Sequence, residues 1–162
     1  MATEGAAIAG QIERQLRKIQ DELVGLSDEA LNRELEIQPT NTLFQLGTHV
    51  AGSARYWAIT CAGGTDFVRH RASEFAASGR GAEIRADLDL LVIQIHESLD
   101  ALGGSDLDRP TTGDPKFRTT GGSDDPLPLR DAVLHALEHT ALHLGHIQIT
   151  RQLLGFDPVT DA

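Results

Sequence analysis

Apolar side chains recur at steps of three and four residues in four separate segments of this 162-residue chain. That spacing places them on one face of an α-helix, which is stable in water only when the face packs against other helices. The clearest stripe consists of Ile84, Leu88, Leu91, Val92, Ile95, Leu99 and Leu102. The pattern predicts an all-α fold. Aromatic residues, which strands favour, make up only 4% of the chain.

The four predicted helices span about residues 5–26, 42–62, 81–102 and 129–154. Thr42 and Gln45 form a capping box at the start of the second helix, and Pro128 stands just before the fourth, where proline is tolerated. Residues 105–128 have the composition of a long loop. Four long helices predict a four-helix bundle, and the length fits one domain over residues 1–162. The fourth helix carries few charges, which predicts a central position.

The charge balance and the single cysteine narrow the classes of function. The chain has 14 Lys and Arg against 24 Asp and Glu, so its formal net charge is -10. Such a field repels a phosphate backbone, which argues against a nucleic-acid partner. No apolar run is long enough to cross a membrane, the first segment lacks a signal-peptide pattern, and Cys61 has no second cysteine to pair with. We expect a cytoplasmic protein, without a membrane segment, that acts on a small molecule.

Four of the seven histidines lie on the predicted fourth helix, within an arc of about 80°. They are His135, His139, His143 and His146, and neighbours three or four apart lie one turn above each other. Two imidazoles at that spacing can reach one metal ion. Three pairs qualify (135 with 139, 139 with 143, and 143 with 146), and the spacing alone does not choose among them. His49 flanks the apolar stripe of the second helix and is the candidate for a third ligand from another helix.

Two further side chains share the face of the second helix that carries His49. Ser53 and Tyr56 follow it one and two turns later, and we expect them to line a pocket. The remaining histidines are interpreted as ordinary residues, because His70 lies between two arginines in a loop and His96 lies off the apolar stripe of its helix.

Two short motifs stand on the second and fourth helices. The first is Gly-Thr-His-Val at 47–50, and the second is Glu-His-Thr-Ala-Leu-His-Leu-Gly at 138–145. The segments 31–33 (Leu-Asn-Arg) and 55–57 (Arg-Tyr-Trp) add to the pattern. Together with the length and the four-helix order, they resemble the DinB-like superfamily, over nearly the whole chain.

The resemblance implies a bundle in up-down-down-up order, frequent homodimers, and a metal held at His49, His139 and His143. Some members of the superfamily are transferases that depend on mycothiol or bacillithiol. His146 stands where many members carry glutamine, so it is a candidate for an added ligand or for a group that orients a ligand. His135, one turn before His139, is a candidate for the same two roles.

Three protein ligands leave a tetrahedral metal with an open position, the arrangement of catalytic rather than structural sites. Our first hypothesis is a metal-dependent enzyme that transfers a low-molecular-weight thiol or hydrolyses a small substrate. The alternative is a metal-binding stress-response or sensor module without turnover, and a third hypothesis is a dimerisation scaffold. Glu138, Tyr56 and His146 are candidates for proton transfer, but no residue stands out as a general base.

Three imidazoles suit several divalent metals. We expect zinc because of its availability, with nickel or iron as other occupants. Because an imidazole must be neutral to bind a metal, we expect the affinity to fall as the pH drops through about 6.5.

Overall fold

Helices account for all the regular secondary structure in the part of the chain that the structure describes. A computed structural model describes residues 2–37, 40–112 and 127–159. The long helices are α1 (Glu4–Leu23), α3 (Leu43–Ala54, continued by a π-helical segment, Arg55–Thr60), α5 (Gly81–Leu99) and α7 (Leu129–Leu153). Single-turn helices connect them: α2 (Asp28–Leu31), α4 (Arg71–Glu74) and α6 (Gly104–Leu107). The predicted all-α fold is confirmed.

The ends of the helices follow local chemistry. The capping box at the start of α3 is present: the Gln45 amide donates to Thr42 Oγ1 at 3.1 Å, and the Thr42 amide donates to Gln45 Oε1 at 3.0 Å. By contrast, α1 ends at Leu23, three residues before the predicted end. Gly25 adopts a φ of 77°, a left-handed conformation that stops a helix and that glycine adopts without strain.

Hydrogen bonds at both ends show that α1 and α5 run antiparallel. Near the start of α1, the Gly5 amide donates to the Leu102 carbonyl at 3.0 Å, just beyond the end of α5. Near the end of α1, Gln20 donates through Nε2 to the Arg85 carbonyl at 3.2 Å, in the first part of α5.

Contacts at both ends also show that α1 and α7 run parallel. Arg130 pairs with Glu4 where both helices begin. Arg151 donates through Nη1 to the Glu22 carbonyl at 2.7 Å near the ends of both helices.

The order of contacts along α3 and α7 makes these two helices antiparallel. His49, early in α3, lies against His139, whereas Trp57, later in the same segment, lies against His135. Since α7 runs parallel to α1 and α5 antiparallel to it, the four long helices follow the up-down-down-up order that the resemblance implies. The ring contacts show that α3 and α7 pack directly against each other, with the histidines between them.

The predicted central position of α7 is wrong. One face packs against α1 and α3, but four apolar side chains on another face are 44 to 59% exposed: Leu134, Leu142, Ile149 and Leu153. A wide apolar arc does not show by itself which part of a helix is buried.

The two connecting segments compare differently with the sequence. Helix α4 is a single turn within 65–81, where the sequence predicts a connecting loop with one helical turn. Helix α6 overlaps the start of the predicted loop 105–128. Pro110 and Pro128 form an isolated bridge across that loop. The part of the loop at 113–126 lies outside the described residues. Among the described residues, no helix is both long and apolar enough to cross a membrane.

Candidate metal centre

Three imidazoles from two helices meet between α3 and α7. His49, His139 and His143 each offer a ring nitrogen, and the three nitrogens lie within 4.8 Å of one another. The Nε2 atoms of His49 and His139 are 3.2 Å apart. Two nitrogens bound to one tetrahedral zinc ion at ordinary bond lengths lie about 3.3 Å apart. The cluster therefore has the dimensions of a site that could hold a metal ion.

The helices place these side chains in a simple way. His139 and His143 are four residues apart on α7, so their rings lie one turn apart with centroids at 4.4 Å. His49 reaches them from the facing helix, with its ring centroid 4.9 Å from that of His139 and 4.7 Å from that of His143. The antiparallel α3–α7 pair is thus what brings the three together.

His139 and His143 are neutral near physiological pH. Burial lowers the pKa of His139 to about 3, helped by the positive charge that its neighbours His143 and His49 would carry. Burial also lowers the pKa of His143 to about 4, with His49 and His146 acting in the same direction. A neutral imidazole has the free lone pair that metal binding requires.

A buried ion pair of Arg69 and Glu74 contacts His49 at its Nδ1 atom. Glu74 Oε2 lies 2.7 Å from His49 Nδ1, and Arg69 donates to the same carboxylate through Nε and Nη2 at 2.8 and 2.9 Å. Burial alone would raise the pKa of Glu74, but the hydrogen bonds from His49 and Arg69, with the charge of Arg69, outweigh it and lower that pKa. The carboxylate is therefore ionised, as an acceptor for His49.

An aromatic ring from the same segment covers His49. Phe75, directly after α4, lies with its centroid 4.5 Å from that of His49 at an interplanar angle of 31°. The guanidinium of Arg71 sits 5.3 Å from the centroid of Phe75 on the outside. The segment around α4 therefore forms one wall of the centre.

The other two histidines of α7 continue the row at its ends. His146 is exposed, and its Nδ1 lies 3.2 Å from Nδ1 of His143. His135 packs edge-on against Trp57 at 4.7 Å, and its centroid is 5.7 Å from that of His139. Neither joins the group whose nitrogens lie within 4.8 Å of one another.

The other predicted site residues lie at different depths. Ser53 is 1% exposed, and its hydroxyl has no hydrogen-bond partner within the described ranges. Tyr56 is 2% exposed, edge-on to Trp57 at 5.1 Å. Glu138 is exposed, and its charge partly opposes the lowering of the pKa of His135 that burial causes.

Glu74 and Arg69 were not predicted from the sequence. They lie 25 and 20 residues after His49 in a segment without periodicity. The one available signal was the cluster of charged and aromatic residues at 69–75, which reads equally well as an exposed loop.

A family model decides which group of proteins this bundle represents. The model for mycothiol-S-transferase matches residues 7–155, which include all three clustered histidines. The chain belongs to the mycothiol S-transferase family. This family is DinB-like, so the resemblance drawn from the motifs at 47–50 and 138–145 is confirmed.

A solved structure shares the fold of this mycothiol S-transferase family member. It is the crystal structure of a conserved protein from Enterococcus faecalis, 15% identical in sequence. The match covers 95% of this chain and 98% of that chain, with a TM-score of 0.68. At this identity the likeness establishes the fold alone. No functionally curated protein matches the chain.

Proposed function

We propose that the protein is a metal-dependent transferase of a low-molecular-weight thiol such as mycothiol, with His49, His139 and His143 as the metal ligands. The observation that carries the proposal is the convergence of three imidazoles from two helices in a chain of the mycothiol S-transferase family. The family supports a low-molecular-weight thiol as a substrate, and the histidine cluster supports a bound metal ion.

The donor set fits a divalent cation. The Nε2 atoms of His49 and His139 face each other at 3.2 Å. If both carried free lone pairs they would repel each other, so this contact needs a proton or a cation between them. Zinc is the proposed occupant, with nickel or iron as alternatives that three imidazoles also suit. A bound cation with an open position would act as a Lewis acid that lowers the pKa of a thiol or of water.

The protein's own groups would hold and shield the reactants. In the proposed transfer, the thiol sulfur forms a bond to an electrophilic carbon, the leaving group departs from that carbon, and the thiol proton passes to solvent. Our first candidate to carry that proton is His146, which is exposed beside His143. Glu138 and Tyr56 are the further candidates. Ser53, whose hydroxyl has no hydrogen-bond partner in the part of the chain that the structure describes, is proposed to line the pocket.

The assembly and location belong to the same proposal. We propose a homodimer in the cytoplasm that acts on a small molecule and binds neither nucleic acid nor a membrane. The exposed apolar face of α7 supports the dimer, and the net charge of -10 argues against nucleic acid. Light scattering coupled to size exclusion measures the dimer directly, and a monomer at micromolar concentration contradicts it.

The experiment uses untagged protein, first freed of metal and then loaded with zinc. We expect zinc to bind tightly, and the loaded protein to conjugate mycothiol to a fluorogenic electrophile faster than the metal-free protein does. Bacillithiol, glutathione and water are offered in parallel. Conjugation that is indifferent to metal contradicts the proposal. Tight zinc binding without turnover of any of them favours a metal-binding module instead.

A further inference from the structure

Arg69 and Glu74 form a buried ion pair that also contacts one histidine of the candidate centre. The two side chains are 4% and 7% exposed, and they belong to the segment that connects the π-helical part of α3 with α5. Charged side chains are rarely buried to this extent unless they are paired. Here the pair is bidentate, and one carboxylate oxygen is shared with the imidazole of His49.

The chemistry of this contact fixes the hydrogen on His49. Two groups approach Nδ1 of His49: Glu74 Oε2 at 2.7 Å and Arg69 Nη2 at 3.4 Å. An ion-paired carboxylate can only accept hydrogen bonds, so the much shorter contact makes Nδ1 the donor, and the guanidinium donates to Glu74 instead. A neutral imidazole that carries its hydrogen on Nδ1 has its lone pair on Nε2. That is the atom that faces Nε2 of His139 at 3.2 Å.

The surroundings hold this arrangement in place. A Cβ built on Gly52 would lie 2.3 Å from Glu74 Oε1 and 2.9 Å from Glu74 Cδ, so the carboxylate rests against the bare backbone of α3. Gly52 lies one turn after His49, on the same helix. On the other side Phe75 lies over the imidazole and limits its rotation.

We propose that Arg69 and Glu74 are positioning residues that keep His49 as the Nδ1–H tautomer and orient its Nε2 toward the centre. The missing side chain of Gly52 leaves the space that the Glu74 carboxylate occupies. This inference rests on the proposed function in so far as the centre binds a metal. The tautomer itself is a property of the metal-free protein, so the two can fail separately.

The first test measures the tautomer in the wild-type protein without metal, by long-range proton–nitrogen correlation NMR of the histidine side chains. The His49→Gln variant assigns the signals. We expect His49 to carry its hydrogen on Nδ1. A hydrogen found on Nε2 overturns the proposal, whether or not the protein binds zinc.

The second test compares the zinc affinity of the wild type with that of Glu74→Gln, by competition with a chromophoric chelator. Loss of groups that orient metal ligands costs about 10- to 100-fold in affinity, and we expect a loss in that range. The control is Asp87→Asn, which breaks another ion pair, with Arg55 Nη2 2.7 Å from Asp87 Oδ1, that includes no histidine of the candidate centre. We expect the control to bind like the wild type.

A third variant separates positioning from simple charge. Gly52→Ala keeps the negative charge of Glu74 but pushes its carboxylate away from His49. We expect it to weaken zinc binding and to lose the Nδ1–H preference. Wild-type affinity in both Glu74→Gln and Gly52→Ala overturns the proposal. If the wild type itself binds no zinc, the proposed function fails, and the NMR measurement still decides the tautomer.

Discussion

The three histidines of the candidate centre are held in different ways. His49 is tied through Nδ1 to a buried carboxylate, whereas Nδ1 of His139 is buried without a hydrogen-bond partner among the described residues. His143 turns Nδ1 toward the exposed His146. The centre is therefore closed on the side of His49 and nearest to solvent on the side of His143, which is where we expect a small substrate to approach.

Removal of either candidate ligand on α7 should abolish tight metal binding. We expect His139→Ala and His143→Ala each to weaken zinc binding by more than about 100-fold, because losing a ligand costs more than losing a group that orients one. His70→Ala is the control, since that side chain is exposed and outside the cluster. Chelator competition on folded variants measures the effect, and an unchanged affinity in either α7 variant would refute the assignment.

Helical spacing predicts a row of four histidines with His49 facing it, and the resemblance to the superfamily selects His49, His139 and His143. Neither predicts the groups that contact His49 from the other side. His139 and His143 share a helical face, and helical periodicity translates directly into distance. Glu74 contacts His49 only because the segment after α3 folds back, and no periodic signal encodes such a return. Arg69 and Glu74 also belong to residue types that are usually exposed, so composition favours the wrong interpretation.

At the scale of elements, the apolar stripes predict the four long helices because burial of such a face decides where a helix packs. Their ends depend on single residues instead, and α5 ends at Leu99 rather than at the predicted residue 102. The π-helical segment Arg55–Thr60 has no counterpart in the sequence pattern. The outward face of α7 was missed because periodicity identifies an apolar arc but not how many neighbours cover it.

The close approach of α1 to the end of α5 gives a matched pair of glycine variants. A Cβ on Gly5 would lie 2.1 Å from the Leu99 carbonyl oxygen, whereas a Cβ on Gly10 meets nothing within 4 Å. We expect Gly5→Ala to lower the free energy of unfolding by about 1–3 kcal/mol through overpacking. Gly10→Ala in the same helix should be neutral or stabilising by up to about 1 kcal/mol. Urea denaturation followed by circular dichroism checks both, and equal effects would contradict the α1–α5 packing.

At the scale of the whole molecule, the helix order determines where a centre can form. Helix α1 lies beside α5 and α7, and α3 packs against α5 and α7. The connections at 24–42 and 61–80 are long enough to join either adjacent or diagonal helices, so helix lengths alone leave the arrangement open. The resemblance to a known superfamily supplied it, and the end-to-end hydrogen bonds then account for it physically.

The buried histidines should also make the stability of the metal-free protein depend on pH. The pKa values of His139 and His143 are lowered to about 3 and about 4 in the folded state, against about 6.5 in an unfolded chain. Below about pH 6.5 the unfolded state therefore binds more protons, and stability falls as the pH drops. The same values place proton competition for a metal at a lower pH than the 6.5 expected from the sequence.

Denaturation of the metal-free protein between about pH 6.5 and 4.5 measures this loss, since carboxylates add their own contribution below that window. His96 acts with the opposite sign. Burial would lower its pKa, but hydrogen bonds to Asp100 and Glu13 outweigh this and raise it. We therefore expect His139→Gln to flatten the loss of stability between about pH 6.5 and 4.5. His96→Gln should change the slope only above about pH 6.5, where the unfolded imidazole releases its proton before the folded one does. A slope in this window that His139→Gln leaves unchanged would mean that this imidazole titrates alike in the folded and unfolded states, and that it is more exposed to water than its packing against α3 implies.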